Sequence, residues 1–102
     1  MILWIESVMV TIVAYDISKR RRRDQASVLL KDYGTRVQYS VFECQFTETD
    51  LAQCRHVLSE IINHAEDQVL FVDLGPTEGR GERVITALGI PYVQLDAPCH
   101  IV

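Results

Sequence analysis

The sequence predicts an α+β fold of order β-α-β-β-α-β, with an extra C-terminal edge strand and a second copy of the chain packed against its sheet. Three observations carry the prediction. Residues 8–15 and 69–74 are apolar on both faces of an extended chain, the pattern of strands covered on both sides. Two stretches of helical period separate the strand-like segments in the right order, and two helices cover only one face of a sheet. The chain has 102 residues, enough for one domain with a single two-layer core, so the simplest cover for the other face is a second copy.

The elements follow in chain order. The opening "MILWIESVMVTIVAY" contains Glu6 and Thr11, lacks a basic start and a small-residue cleavage site, and falls short of the ~20 residues that span a bilayer. It reads as a short extension, residues 1–8, with Met9 as an alternative start, followed by a strand. Val8, Val10, Ile12 and Ala14 face one way, and Met9, Thr11, Val13 and Tyr15 the other. The run stops at Asp16. Ser18 suits a helix N-cap, Ala26, Leu29, Leu30 and Tyr33 recur at i, i+3, i+4 and i+7, and Gly34 suits a C-cap.

"RVQYSVFECQF" is rich in β-branched and aromatic residues and predicts two short strands, or one kinked strand, folding back near Tyr39 and Ser40. Thr47 with Asp50 has the spacing of a capping box. Leu51, Cys54, Leu58, Ile61, Ile62 and Ala65 then lay an apolar stripe along a second helix. "QVLFVDL" is the next strand, which completes the ferredoxin-like order. "GPTEGRGERVITALG" has spaced glycines without the lysine and hydroxyl ending of a phosphate loop, and reads as a loop with a short helix. In "IPYVQLDAPCHIV" Pro91 and Pro98 exclude a central strand and leave an edge strand. The reading is one domain, 1–102, with residues 75–102 as C-terminal loop and edge strand.

Composition narrows the function classes. The residues are 48% hydrophobic with no low-complexity tract and no repeat, the profile of a compact soluble protein with no membrane partner, and the odd number of cysteines fits a reducing cytoplasm. Cys44, Cys54 and Cys99 form no CxxC, and with His56 and His100 they match no zinc spacing. The formal net charge is −4, yet Lys19, Arg20, Arg21, Arg22 and Arg23 are consecutive and make up half of the 10 basic residues. Exposed charges are screened beyond roughly 8 Å, so this patch can hold a polyanion that the net charge repels.

Cations in a first helical turn also oppose the helix dipole, and guanidinium forks suit phosphate oxygens, so the run points to sequence-tolerant contact with a nucleic-acid backbone, extended by Arg36. Phe42 can support either a base or the sheet, and its alternating neighbours favour the sheet. A lone Asp16 after a strand is ordinarily a turn residue. In a dimer whose strand ends meet, two such carboxylates ~4 Å apart repel by roughly 4 kcal/mol and must take up a proton or a cation. Magnesium, which binds through one or two carboxylates, can use such a pair.

"VAYDIS", the arginine run, "LLKDYGTRVQYSVFEC" and "LAQCRHVLSEIIN" together resemble the CRISPR-associated Cas2 family over residues 9 to about 73. "ALGIPYVQLDAPCHIV" is similar to that family's last strand, which pairs with the partner subunit's sheet, while "GPTEGRG" departs from the commoner sequences. The resemblance implies a homodimer in which the two Asp16 carboxylates face each other and share Mg2+ or Mn2+. It places Tyr15, Ser40 and Phe42 as supporting residues, with Lys19, Arg20 to Arg23 and Arg36 as nucleic-acid contacts. It implies a role in spacer acquisition beside the CRISPR integrase (Cas1) on double-stranded DNA, and metal-dependent endonuclease activity on DNA or single-stranded RNA. A ribonuclease or RNA-binding ferredoxin-like domain outside CRISPR is the alternative.

Overall fold

The computed structural model describes residues 7–76 and 84–93. Its elements are β1 (Met9–Asp16), α1 (Arg20–Lys31), β2 (Gly34–Gln38), β3 (Val41–Phe46), α2 (Glu48–Ile61), β4 (Gln68–Pro76) and β5 (Val84–Gly89). The strands form one sheet in the order β2-β3-β1-β4-β5, with every neighbouring pair antiparallel. This is the expected ferredoxin-like arrangement with one strand added at the β4 edge.

The period of two in β1 divides the sheet. Thr11, Val13 and Tyr15 are buried beneath the helices with Phe42, Cys44 and Phe46 of β3 and Val69 and Phe71 of β4. Helix α1 contributes Ala26 and Leu30 to this core, and α2 contributes Cys54 and Leu58. Burial pushes the Cys44 thiol up to about 11 and the Cys54 thiol to about 12, so both stay protonated and pack as small apolar groups.

On the opposite face Ile12 lies across from Val72, Ala14 from Leu70, Leu70 from Ala87 and Val72 from Ile85. These residues are half-buried or exposed, and no element among the described residues covers them. The sheet therefore has one closed face and one open apolar face. No described helix is long and apolar enough to cross a membrane.

Several local expectations are met. The fold-back falls at Tyr39 and Ser40, between β2 and β3. The Thr47 side chain accepts the Asp50 amide at 3.1 Å as N-cap of α2. Tyr33, one residue past the α1 cap, packs on Phe46 with ring centroids 5.2 Å apart.

Others are corrected. The N-cap of α1 is Lys19 with no side-chain cap, because the Ser18 hydroxyl is drawn to Asp67 and Glu66. The C-cap of α1 is Asp32, and Gly34 instead opens β2. A Cβ at Gly34 would stand 2.1 Å from the Glu43 carbonyl oxygen, so glycine is required there by the approach of β2 to β3. Ala65 lies beyond α2 and is exposed.

"VITALG" is strand β5 rather than part of a loop and helix: its β-branched Val84, Ile85 and Thr86 favour a strand, and it pairs with β4 from Asp73↔Val84 to Gln68↔Gly89. Of the segment "IPYVQLDAPCHIV" expected as an edge strand, residues 90–93 are irregular and residues 94–102 lie outside the described residues. Of the N-terminal extension, residues 1–6 also lie outside them.

The contact at Gly34 is directly testable. Gly34→Ala should lower stability by more than about 1 kcal/mol, since the added methyl meets backbone that cannot rotate away. Urea titration of the variant beside the parent reads this as an earlier midpoint at unchanged slope.

Candidate functional site

The central strand ends with three residues of alternating direction. Tyr15 is buried, Asp16 is exposed, and Ile17 is buried again. Asp16 pairs in register with Gln68 and shares the face of Ile12 and Ala14, so its carboxylate stands at the end of the open apolar face. Tyr15 points the other way and ties β1 to the hairpin. Its amide donates to the Ser40 carbonyl at 2.9 Å, its hydroxyl donates to the Tyr39 carbonyl at 3.2 Å, and its ring stacks near Phe42 at 6.3 Å.

Arg36 of β2 lies over the Phe42 ring at 5.2 Å and donates from Nη2 to the buried Ser27 hydroxyl. Tyr15, Arg23, Asp24, Ser27, Arg36, Tyr39 and Ser40 line a cleft of about 200 Å3 between α1 and the hairpin. Of the supporting residues, Tyr15, Ser40 and Phe42 thus converge with Arg36 and Arg23. Phe42 is fully buried, which gives it the role of a support for Arg36 and removes it as a surface for a base.

The cationic run splits by direction. Lys19, Arg20 and Arg21 are exposed, and Arg20 reaches Asp24 only at 3.8 Å. Arg23 donates from Nη1 to the Ile17 and Ser18 carbonyls. Arg22, expected to face outward like its neighbours, turns inward. Its Nε reaches Asp67 at 2.7 Å, and its Nη2 reaches Asp67 and Glu66, both at 3.1 Å.

Asp67 is the residue that sequence reading missed. It is fully buried and also accepts the amides of Ser18 and Asn63, at 3.0 and 2.8 Å. The guanidinium of Arg22 and these two amides hold its carboxyl far below the usual carboxylate range, against the burial that pushes it up. "HAEDQVL" shows only an acid before a strand, and its main partners lie 45 and 49 positions away in sequence, so no local signal marks it.

Among the described residues of one chain, no three His, Cys, Asp or Glu side chains lie together as a metal site. The carboxylate exposed at the edge of the open face is the oxygen donor on offer, of the hard type that magnesium and manganese take. The family model described as CRISPR associated protein Cas2 matches residues 9–80.

The chain belongs to the Cas2 family.

The matched span holds β1 to β4 and ends before β5. A CRISPR-associated endoribonuclease Cas2 of Geobacter sulfurreducens is 40% identical over 67 residues, 66% of this chain and 70% of the relative. One from Rhodospirillum rubrum is 33% identical over 91 residues, 89% of this chain and 88% of the relative. The crystal structure of Streptococcus pyogenes Cas2 superimposes with a TM-score of 0.60 at 37% identity, over 62% of this chain and 82% of that one. The name endoribonuclease is that of these relatives.

The Asp67 cluster should be visible in stability. Its carboxyl titrates lower folded than its ordinary 3.8, so its contribution is complete above about pH 5 and is lost as the pH falls through 4 toward the folded value. Asp67→Asn should cost about 3 kcal/mol at neutral pH, by leaving buried donors opposed to an amide. It should also flatten the loss of stability between about pH 5 and pH 2. Urea titrations of both proteins across that range measure the two effects.

Proposed function

We propose that this Cas2 protein acts as a homodimer in CRISPR spacer acquisition, holding double-stranded DNA beside the CRISPR integrase, and that it carries a metal-dependent endonuclease site built from Asp16 of both subunits. The observation that carries the reading is the place of Asp16, at the exposed end of the central strand on the open apolar face. Covering that face with a second copy removes Ile12, Ala14, Leu70, Val72 and Ile85 from water at roughly 25 cal/mol per Å2 of apolar surface, and brings a second Asp16 toward the first.

Two such carboxylates fit a hard divalent cation, and one Asp16 from each subunit would hold Mg2+ or Mn2+. When bound, the ion supplies Lewis-acid polarisation of a phosphodiester and a more acidic water. The chain's own residues do the rest. Lys19, Arg20 and Arg21 stand exposed before and within the first turn of α1 for phosphate contact, while Arg23 and Arg36 flank the cleft. Tyr15 fixes the strand that bears Asp16 to the hairpin. The relatives named as endoribonucleases support hydrolysis of RNA as the cleavage reaction. The reading as a ribonuclease or RNA-binding domain outside CRISPR draws no support from these matches.

Asp16→Asn separates the two halves of the proposal. The substitution keeps the strand and removes carboxylate repulsion, so the dimer should persist. Metal-dependent cleavage of single-stranded RNA should fall by at least about 100-fold. Integration assays with the partner enzyme should proceed as with the parent if holding DNA is the biological role. Full cleavage by the variant would remove Asp16 from the metal site.

The dimer has its own test. Light scattering on the parent should give twice the 11.7 kDa of one chain at micromolar concentration. Ile12→Lys, which puts a charge in the middle of the open face, should give the single-chain mass and abolish metal-dependent cleavage.

A further inference from the structure

We propose that the tip of the β2–β3 hairpin is a stacking platform for an unpaired nucleobase, with the Tyr39 ring as the platform and Arg36 and Arg23 as the phosphate-holding groups beside it. The assignment rests on the nucleic-acid reading above and deepens it by naming the kind of strand this part of the site grips.

Tyr39 is 92% exposed, while the neighbouring aromatics Tyr15 and Phe42 are 7% and 0% exposed. A single exposed tyrosine is unremarkable by itself. Here it sits on the rim of a cleft that also presents two guanidinium groups and the hydroxyls of Ser27 and Ser40. The backbone below the ring is held, because the Tyr39 carbonyl accepts the Tyr15 hydroxyl and the Ser40 carbonyl accepts the Tyr15 amide. The platform is therefore anchored to the residue next to Asp16.

The guanidinium groups are held as well. Arg36 is fixed by Phe42 and by Ser27, and Arg23 spends Nη1 on two backbone carbonyls. The one acid on the cleft, Asp24, is i,i+4 to Arg20 and ion-paired with it. An aromatic face beside cations is the composition that binds single strands, since every base has a face to stack and every nucleotide a phosphate. A duplex stacks its bases on one another and offers this surface phosphates alone. Tyr39 thus adds affinity for an unpaired nucleotide and none for paired DNA.

The test is equilibrium binding of the full chain, in chelator so that nothing is cleaved, to a fluorescent single-stranded 12-nucleotide RNA and to a DNA duplex of the same length. Tyr39→Ala should weaken the single strand by about 5- to 100-fold, the loss of one stacked base, with the duplex and the salt slope unchanged. Tyr39→Trp should bind the single strand at least as tightly as the parent, which a loss through misfolding would not produce. Single-strand affinity unchanged in Tyr39→Ala, or an equal loss for both nucleic acids, overturns the platform while leaving the proposed function standing. A parent chain that binds neither probe overturns both.

Discussion

A single buried carboxylate holds the parts of this fold in register. Asp67 accepts from Ser18 on the turn after β1, from Arg22 on the first turn of α1 and from Asn63 just after α2. Its own carbonyl accepts the Ile90 amide beyond β5 and approaches Gly89 so closely that only glycine, at a φ of +83°, fits there. Three segments, around residues 18–22, 63–67 and 89–90, thus meet on one residue. Helix α1 begins with four arginines and has no acid in its first turn, so it lacks there the negative charge that a helix N-terminus ordinarily draws. Asp67 supplies that charge from the other half of the chain. In doing so it takes one arginine out of the outward-facing set and clamps the turn that follows Asp16.

Strand periodicity then does the work of placing the site. Because successive residues of β1 point to opposite faces, Tyr15 and Asp16 are separated by the thickness of the sheet although they are neighbours in sequence. One anchors the hairpin on the helix side, and the other stands on the open side. A slip of one residue in the pairing of β1 with β4 would exchange the two and bury the carboxylate among Phe42 and Val69. The apolar alternation of β1 and β4 thus specifies the face on which the Asp16 carboxylate stands.

The sequence made much of this legible. Two-sided apolar runs marked β1 and β4, the β-branched and aromatic segment around Tyr39 and Ser40 marked the hairpin, and Thr47 marked the start of α2. Each of these signals is local, and so is the physics behind it. Most of the misses have a different cause. Ser18 looked like a cap because the sequence cannot show Asp67 drawing its hydroxyl away, and Gly34 looked like a helix stop because its true constraint is the backbone of β3. Strand β5 was missed although Val84, Ile85 and Thr86 are β-branched strand formers, because the spaced glycines before it drew the reading toward a loop. In the candidate site, Asp16 and the arginines were visible as residue types, and the inward turn of Arg22 was not, since its partners are more than forty positions away. Tyr39 was read only as a turn, because exposure and the neighbouring cleft are properties of the folded chain.

The strand order also sets a timetable for synthesis. β1 leaves the ribosome before both of its partners, since it lies between β3 and β4 in the sheet, and its partners in β4 run from Gln68 to Pro76. At about 5–20 residues per second, the roughly 60 residues that separate β1 from the end of β4 take several seconds to make. Through that interval the most apolar strand of the protein has at most its β3 partner, while the β2–β3 hairpin can close as soon as it is made. The centre of the sheet is therefore completed late, and pairing between such distant segments is intrinsically slower than closure of a local hairpin. A nascent chain of this protein carries an unsatisfied apolar strand until β4 is made, the condition in which chaperone capture or pairing with another nascent copy competes with folding.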